Sequence, residues 1–317
     1  MLSVVLLIQY TLIFSSVLIL VALGGCFSEH SGVINLGLEG IMVIGALGGA
    51  LTMKYLPLGI PTIFYILIVM LAAMAAGVLY SALLGVASIN FKADQTLVGT
   101  ALNLLGTAGA TVFVKAINTA TSGGSNVSSD IYYVEPKKKF IENIGAFEFN
   151  WFMVITVIAL VVAYIVLYKT RFGLRLMACG EHPQAADSVG INVYKMRWAG
   201  VLISGAYGGL GGICYILAGV SMWKFENGVV GFGFLSLAVM IFGQWKPHKI
   251  ALAALLFGFF RALGNTYNGF EFLSALNLPS TVYNMMPYII SLIVLALTSK
   301  SSRAPKAEGI PYDKSQR

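Results

Sequence analysis

Scanned for runs of apolar residues, the chain divides into nine stretches separated by short polar or basic segments. A helix needs about 20 mostly apolar residues to cross the hydrocarbon layer of a bilayer. The stretches fall at 4–24, 33–53, 61–88, 96–114, 151–168, 198–220, 229–245, 250–264 and 283–298. They predict an all-α, polytopic transmembrane helical bundle of about nine spans over residues 1–300, with a tail at 301–317. The third stretch is long enough to tilt or kink. The eighth is short and carries Arg261.

Two polar segments interrupt this pattern. Residues 115–150 are rich in Ser, Gly, Asn and charge, and read as a long loop on one face. Loops of that length are functional or disordered far more often than they are plain connectors. Residues 169–197 form a loop of another kind. Gly180-Glu181-His182-Pro183 supplies a turn and a helix start, 184–189 supplies helix formers, and Gly190 ends the run. This predicts a surface helix of about two turns.

The basic residues orient the chain. With 169–197 and the tail placed in the cytoplasm, nine crossings leave the N-terminus outside. Thirteen Lys and Arg then lie inside and six outside, with Arg261 in a span. Acidic residues divide evenly, so the net charge of +7 belongs to the inner face. A nucleic-acid partner is not needed to explain it.

Composition agrees. The 317 residues are 58% hydrophobic and 10% charged, with mean hydropathy +0.83, whereas soluble domains carry about 45–50% apolar and about 25% charged residues. A soluble enzyme, a secreted disulfide scaffold and a disordered adaptor are excluded. Thirty-five glycines suit close helix contact, and Gly45-x-x-x-Gly49, Gly205-x-x-x-Gly209 and Gly208-x-x-x-Gly212 place small residues on single helix faces. Cys26, Cys179 and Cys214 are widely spaced and suggest neither disulfide nor metal chemistry. Leu23-Gly24-Gly25-Cys26 has the form of a lipoprotein box, but no Lys or Arg precedes it, so lipidation is not expected.

Enzyme signatures are missing from the sequence. There is no Gly-x-x-x-x-Gly-Lys-Ser/Thr phosphate loop and no His-Glu-x-x-His zinc pattern. The run Gly208-Gly209-Leu210-Gly211-Gly212 falls mid-span with no strand before it, and reads as helix packing.

The polar content of the second span stands apart. Asn35 and Glu39 are four residues apart and share a helix face, with Met42 one turn on. A carboxylate within a span costs about 2.5–3.5 kcal/mol on insertion scales and faces a partner or a water-filled cavity. Gly32, Gly37 and Gly40 permit an unwound segment there. Glu39 therefore either lines a solute pathway or ties this helix to its neighbours. Gln95, Thr96, Thr100 and Asn103 repeat the pattern on the fourth span, and Arg261 with Asn265 on the eighth.

These residues carry a resemblance. Ser31-Gly32-Val33-Ile34-Asn35-Leu36-Gly37-Leu38-Glu39-Gly40, followed by Met42 and Gly45-Ala46, resembles the second-span signature of ATP-binding-cassette (ABC) importer permeases of the branched-chain amino acid, simple-sugar and nucleoside group. The stretch from Arg171 to Ile191, with Gly180, Glu181, Pro183, Ala185, Ala186 and Gly190, is similar to that group's cytoplasmic coupling segment. Ile241-Phe242-Gly243-Gln244-Trp245-Lys246-Pro247 is similar to its inner turn. The resemblance covers roughly residues 1–300.

The resemblance implies a transport subunit of a bacterial plasma membrane that is not itself an enzyme. It binds no cofactor, ATP being held by a separate ATPase docked on the coupling segment. It further implies an extracytoplasmic substrate-binding protein and a second, longer permease. A substrate pathway would involve Asn35, Glu39, Met42, Thr100 and Asn103. The second-span wording, and the lack of an extra leading span, look most like the shorter permease of a nucleoside importer. Simple sugars and branched-chain amino acids remain alternatives. So does an ion-gradient-driven transporter in which Glu39 exchanges a proton, and so does a structural subunit without a pathway.

Overall fold

The computed structural model describes residues 2–218, 222–274, 279–298 and 304–314. Lys300, Arg303 and Arg317, which belong to the cytoplasmic charge assignment, lie outside the described residues.

Among the described residues the α-helices of six residues or more are α1 (Leu2–His30), α2 (Leu38–Tyr55), α3 (Thr62–Gly85), α4 (Gln95–Thr121), α5 (Trp151–Lys169), α6 (Arg171–Glu181), α7 (Pro183–Ser188), α8 (Val193–Leu217), α9 (Phe232–Phe242), α10 (Pro247–Thr266) and α11 (Ser280–Thr298). Their starts are written in the sequence. Asp94 accepts the N–H groups of Thr96 and Leu97, each at 2.9 Å. Asn150, Thr170 and Asn192 cap α5, α6 and α8 in the same way, satisfying N–H groups that have no partner within the helix. Proline opens α7 and α10, where a missing N–H costs nothing.

Among the described residues, six helices are long and apolar enough to cross a membrane: α1, α3 with its π turn Val86–Asn90, α4, α5, α8 and α10. The other three of the about nine expected spans are not among these six, and at two of them the helix is shorter than its apolar stretch. The second stretch begins its helix only at Leu38, because 31–37 is unwound. The seventh is reduced to α9, 11 residues long. At 1.5 Å per residue α9 rises about 16 Å, roughly half the hydrocarbon thickness.

The all-α expectation is also incomplete. The segment expected as a loop at 115–150 begins with α4, which continues to Thr121, and then folds into strands. Strand β1 (Asp130–Tyr132) pairs antiparallel with β4 (Met222–Lys224), Ile131 opposite Trp223. Strands β2 (Ile141–Ile144) and β3 (Phe147–Asn150) form a hairpin, Glu142 opposite Phe149.

At the centre, α8 packs against α1, α2 and α3. The glycine repeats make this possible. A Cβ on Gly45 of α2 would overlap Gly209, and one on Gly77 of α3 would overlap the Gly205 carbonyl. Backbones meet there with nothing between them. Helix α1 also packs on α5, α9 and α10, α4 lies on α2, and α11 lies on α10.

The two ends of the bundle differ. The β strands occupy one end, where Lys54 of α2 donates to Asn118 of α4 and Lys115 pairs with Glu226 at 2.6 Å. Helices α6 and α7, the α3–α4 turn, the α9–α10 turn and the tail occupy the other. There Trp245 donates to the Glu29 carboxylate at 2.5 Å, and its carbonyl accepts from Cys26. Ala307 of the tail donates to the Gly180 carbonyl at 2.8 Å.

Candidate functional site

Two broken helices meet inside the bundle. Residues 31–37 leave α1 as a non-helical strip running along α4: Ile34 donates its N–H to the Gln95 side chain at 2.7 Å, and Gly40 donates to Asn103 at 2.8 Å. Gln95 and Asn103 are eight residues apart on α4, so α2 starts about 12 Å in from the end of that helix. Non-helical backbone at such depth is tolerated only when its polar groups find partners. Asn103 supplies two, accepting from Gly40 and donating to the Leu36 carbonyl at 2.8 Å. Asn35 accepts the Gly37 N–H at 3.1 Å and donates to Ser204 of α8 at 2.8 Å. Ser28 donates to the Val33 carbonyl.

The start of α9 faces the start of α2. The Glu39 carboxylate accepts the N–H groups of Gly231 and Gly233, each at 2.7 Å. An anion at a helix N-terminus satisfies unpaired N–H groups and opposes the helix dipole. Gly231 holds φ +77, a left-handed conformation that suits glycine. Tyr288 of α11 donates to the Val230 carbonyl at 3.2 Å. The Arg261 guanidinium lies 5.5 Å from the Phe232 ring centre, and that ring packs on Tyr215 at 4.6 Å.

Beside this junction opens a cleft of about 620 Å³, bordered by Glu39, Asn103, Thr107, Thr111, Glu226 and apolar residues of α4. The volume lies in the range of small-molecule pockets. Its polar groups are mostly hydrogen-bond acceptors and hydroxyls.

The residues expected along the pathway thus separate. Glu39 and Asn103 border the cleft. Thr100 is exposed on α4, its hydroxyl bonded back to the Thr96 carbonyl. Asn35 is fully buried between the strip and α8, and Met42 is fully buried with its backbone against Gly212. Sequence reading missed Thr107, Glu226 and Ser204. Glu226 lies 187 positions from Glu39, and no spacing rule could have joined them.

The coupling segment is more helical than expected, since α6 precedes the short α7. Leu176, Cys179 and Gly180 give α6 a buried face, while Arg171, Leu174 and Arg175 are exposed. Gly180 sits where a Cβ would overlap the His30 carbonyl. Pro183 and Ala186 are buried, whereas Glu181 and Ala185 face outward. Gly190 ends the element at φ +84.

The sequence matches the family described as branched-chain amino acid transport system / permease component over residues 7–297. It is 40% identical to the guanosine ABC transporter permease protein NupQ of Bacillus subtilis over 97% of this chain and 96% of that one. It is likewise 40% identical to the nucleoside ABC transporter permease protein NupC of Lactococcus lactis, over 96% of each chain. With the nucleoside ABC transporter permease protein NupB of the same organism it shares 25% identity over 92% of this chain and 83% of that one. A bundle of membrane-length helices with broken helices at its centre, matched to this family over nearly its full length, makes the chain a multi-pass membrane transport subunit belonging to the permease family of the branched-chain amino acid transport systems.

Proposed function

We propose that this chain is the shorter permease subunit of a bacterial ABC importer for nucleosides, and that the cleft at Glu39 and Asn103 forms its half of the solute path. The observation that carries the reading is the 40% identity, over nearly all of both chains, to permeases named for guanosine and for nucleosides. The cleft chemistry agrees. A nucleoside offers ribose hydroxyls and base-edge donors, which Glu39, Asn103, Thr107 and Thr100 would meet. Asn35 and Met42 would frame the site from behind.

In this reading α7 with its flanks, Gly180, Glu181, Pro183, Ala185, Ala186 and Gly190, docks on a separate ATPase. The end carrying α6, α7 and the tail is then cytoplasmic, and the N-terminus lies outside. The path crosses nine times: six long helices, α2 with its unwound approach, α9 with its descent from β4 through the 3-10 turn Phe225–Asn227, and α11. An extracytoplasmic binding protein would deliver solute at the β-strand end. A second, longer permease would close the open face of α4. This chain covers 96% of the Lactococcus lactis permease NupC but only 83% of that organism's NupB, which supports a short and a long partner. No cofactor is assigned to this chain.

The test is ATP hydrolysis by the reconstituted complex of both permeases, ATPase and binding protein, challenged with nucleosides, pentoses and branched-chain amino acids. Stimulation by nucleosides is expected. A response to leucine alone overturns the solute assignment. Uptake by this chain alone, driven by a pH gradient without ATP, overturns the importer reading.

A further inference from the structure

The tail at 304–314 does not hang free below the bundle. The Ala307 N–H donates to the Gly180 carbonyl at the end of α6. Arg197, fully buried on α8, donates to the Ile310 carbonyl at 2.9 Å, and its guanidinium lies 6.0 Å from the Tyr312 ring centre. Tyr194 packs on Tyr312 with ring centres 5.3 Å apart. Asp313 pairs with Lys92 of the α3–α4 turn at 2.8 Å. Tyr312 is only 4% exposed and packs with Cys179, Ala186 and Val193 in a small core beneath α7.

The tail is therefore built into the same unit as α7, and the two share a concave surface. A pocket of about 300 Å³ lies between Asp187, Asn192 and Tyr194 on one side and Tyr312 and Lys314 on the other. That volume is at the lower limit of ligand pockets and suits one inserted side chain better than a solute. Two apolar residues of this unit are turned to the exterior, Val189 at 76% exposure and Ile310 at 56%. A partner gripping α7 would meet tail residues in the same approach.

We infer that the ATPase seats on a composite surface made of α7 and the C-terminal tail, inserting a side chain into the pocket between Asp187 and Lys314, with Arg197 as the positioning residue that holds the tail in place. The inference rests on the reading of α7 as the ATPase-docking helix. It is tested in the complete complex with Ser188→Cys and Lys314→Cys, each treated with a cysteine-to-lysine cross-linker. The native cysteines are all buried, so the introduced thiols report their own sites.

Cross-linking of both variants to the ATPase is expected. Deletion of residues 310–317 is expected to lower solute-stimulated ATP hydrolysis by about five-fold or more, the scale of coupling between linked sites, at unchanged transporter level. The cross-link at Lys314 decides. If Ser188→Cys cross-links and Lys314→Cys does not, the tail inference is overturned while α7 docking stands. If neither does, both fall.

Discussion

Glu39, in the first turn of α2, accepts the backbone N–H of Gly231, the residue that caps α9, at 2.7 Å. One carboxylate thereby joins two helices that both begin in the interior of the bundle. Its second oxygen is occupied by Gly233. The proton-exchange reading of Glu39 needs a carboxylate released from such partners, and the geometry gives it a structural duty first.

Glu39→Gln is therefore expected to destabilise the protein. The amide retains one acceptor but turns its NH2 toward a glycine N–H, leaving a buried donor unpaired at a cost of about 1–3 kcal/mol. Thermal unfolding of the purified complex should show a lower midpoint, with uptake falling in parallel. Full stability with complete loss of uptake would show that transport needs Glu39 for contact with solute or a proton and not for this junction.

Asn103 and Thr100 should behave oppositely. Asn103→Leu strands both the Gly40 N–H and the Leu36 carbonyl, each worth about 1–3 kcal/mol when buried. Asn103→Asp keeps only the bond from Gly40 and should fall between. Thr100→Ala removes a hydroxyl bonded only to its own helix, and stability should change by less than about 0.5 kcal/mol. A loss of uptake in Thr100→Ala then reports contact with solute, measured at equal protein level.

The glycine seam gives a sharp contrast. Gly209→Ala forces a methyl into the Ala73 carbonyl, and overpacking of this kind costs about 1–3 kcal/mol or more. Yield of folded protein should drop. Gly109→Ala, on the exposed face of α4 with no atom within 4 Å of the new methyl, should be neutral or stabilise by about 0.5–1 kcal/mol. Equal yields for the two variants would refute the seam.

Docking of the tail should depend on pH. Burial of Glu308 pushes its carboxyl up from 4.5 to about 7, and its Oε2 has no hydrogen-bond partner among the described residues. Docked tail binds the proton more tightly than released tail. Docking is thus fully favoured below about pH 4.5 and weakens as pH rises through 7. Hydrogen exchange over 304–314 should quicken across that window. Glu308 interacts electrostatically with the buried Glu29 carboxyl, so Glu308→Gln should weaken the dependence and leave the tail better protected at pH 8 than in the unaltered protein.

Much of this architecture was legible in the chain itself. Helix positions follow from apolar runs and from caps such as Asp94, Asn150 and Asn192, because those signals act within a few residues. The glycine repeats announced close packing for the same reason: i, i+4 spacing fixes a helix face. Gly180, Pro183 and Gly190 marked the coupling helix through local turn chemistry, and Asn35, Glu39 and Asn103 stood out because polar groups in lipid demand partners.

Which partners they found was settled only by the fold. Glu39 meets Gly231 and Gly233, Asn103 meets Leu36 and Gly40, and Arg197 meets the tail. Each pairing spans more than sixty residues, and a hydrogen bond depends on separation in space, which no local pattern encodes. The same holds for the seventh stretch, where apolar content was read correctly and helix length was not. Apolarity reports what lipid will accept, while the start of α9 depends on a tertiary contact, its first N–H groups being received by Glu39.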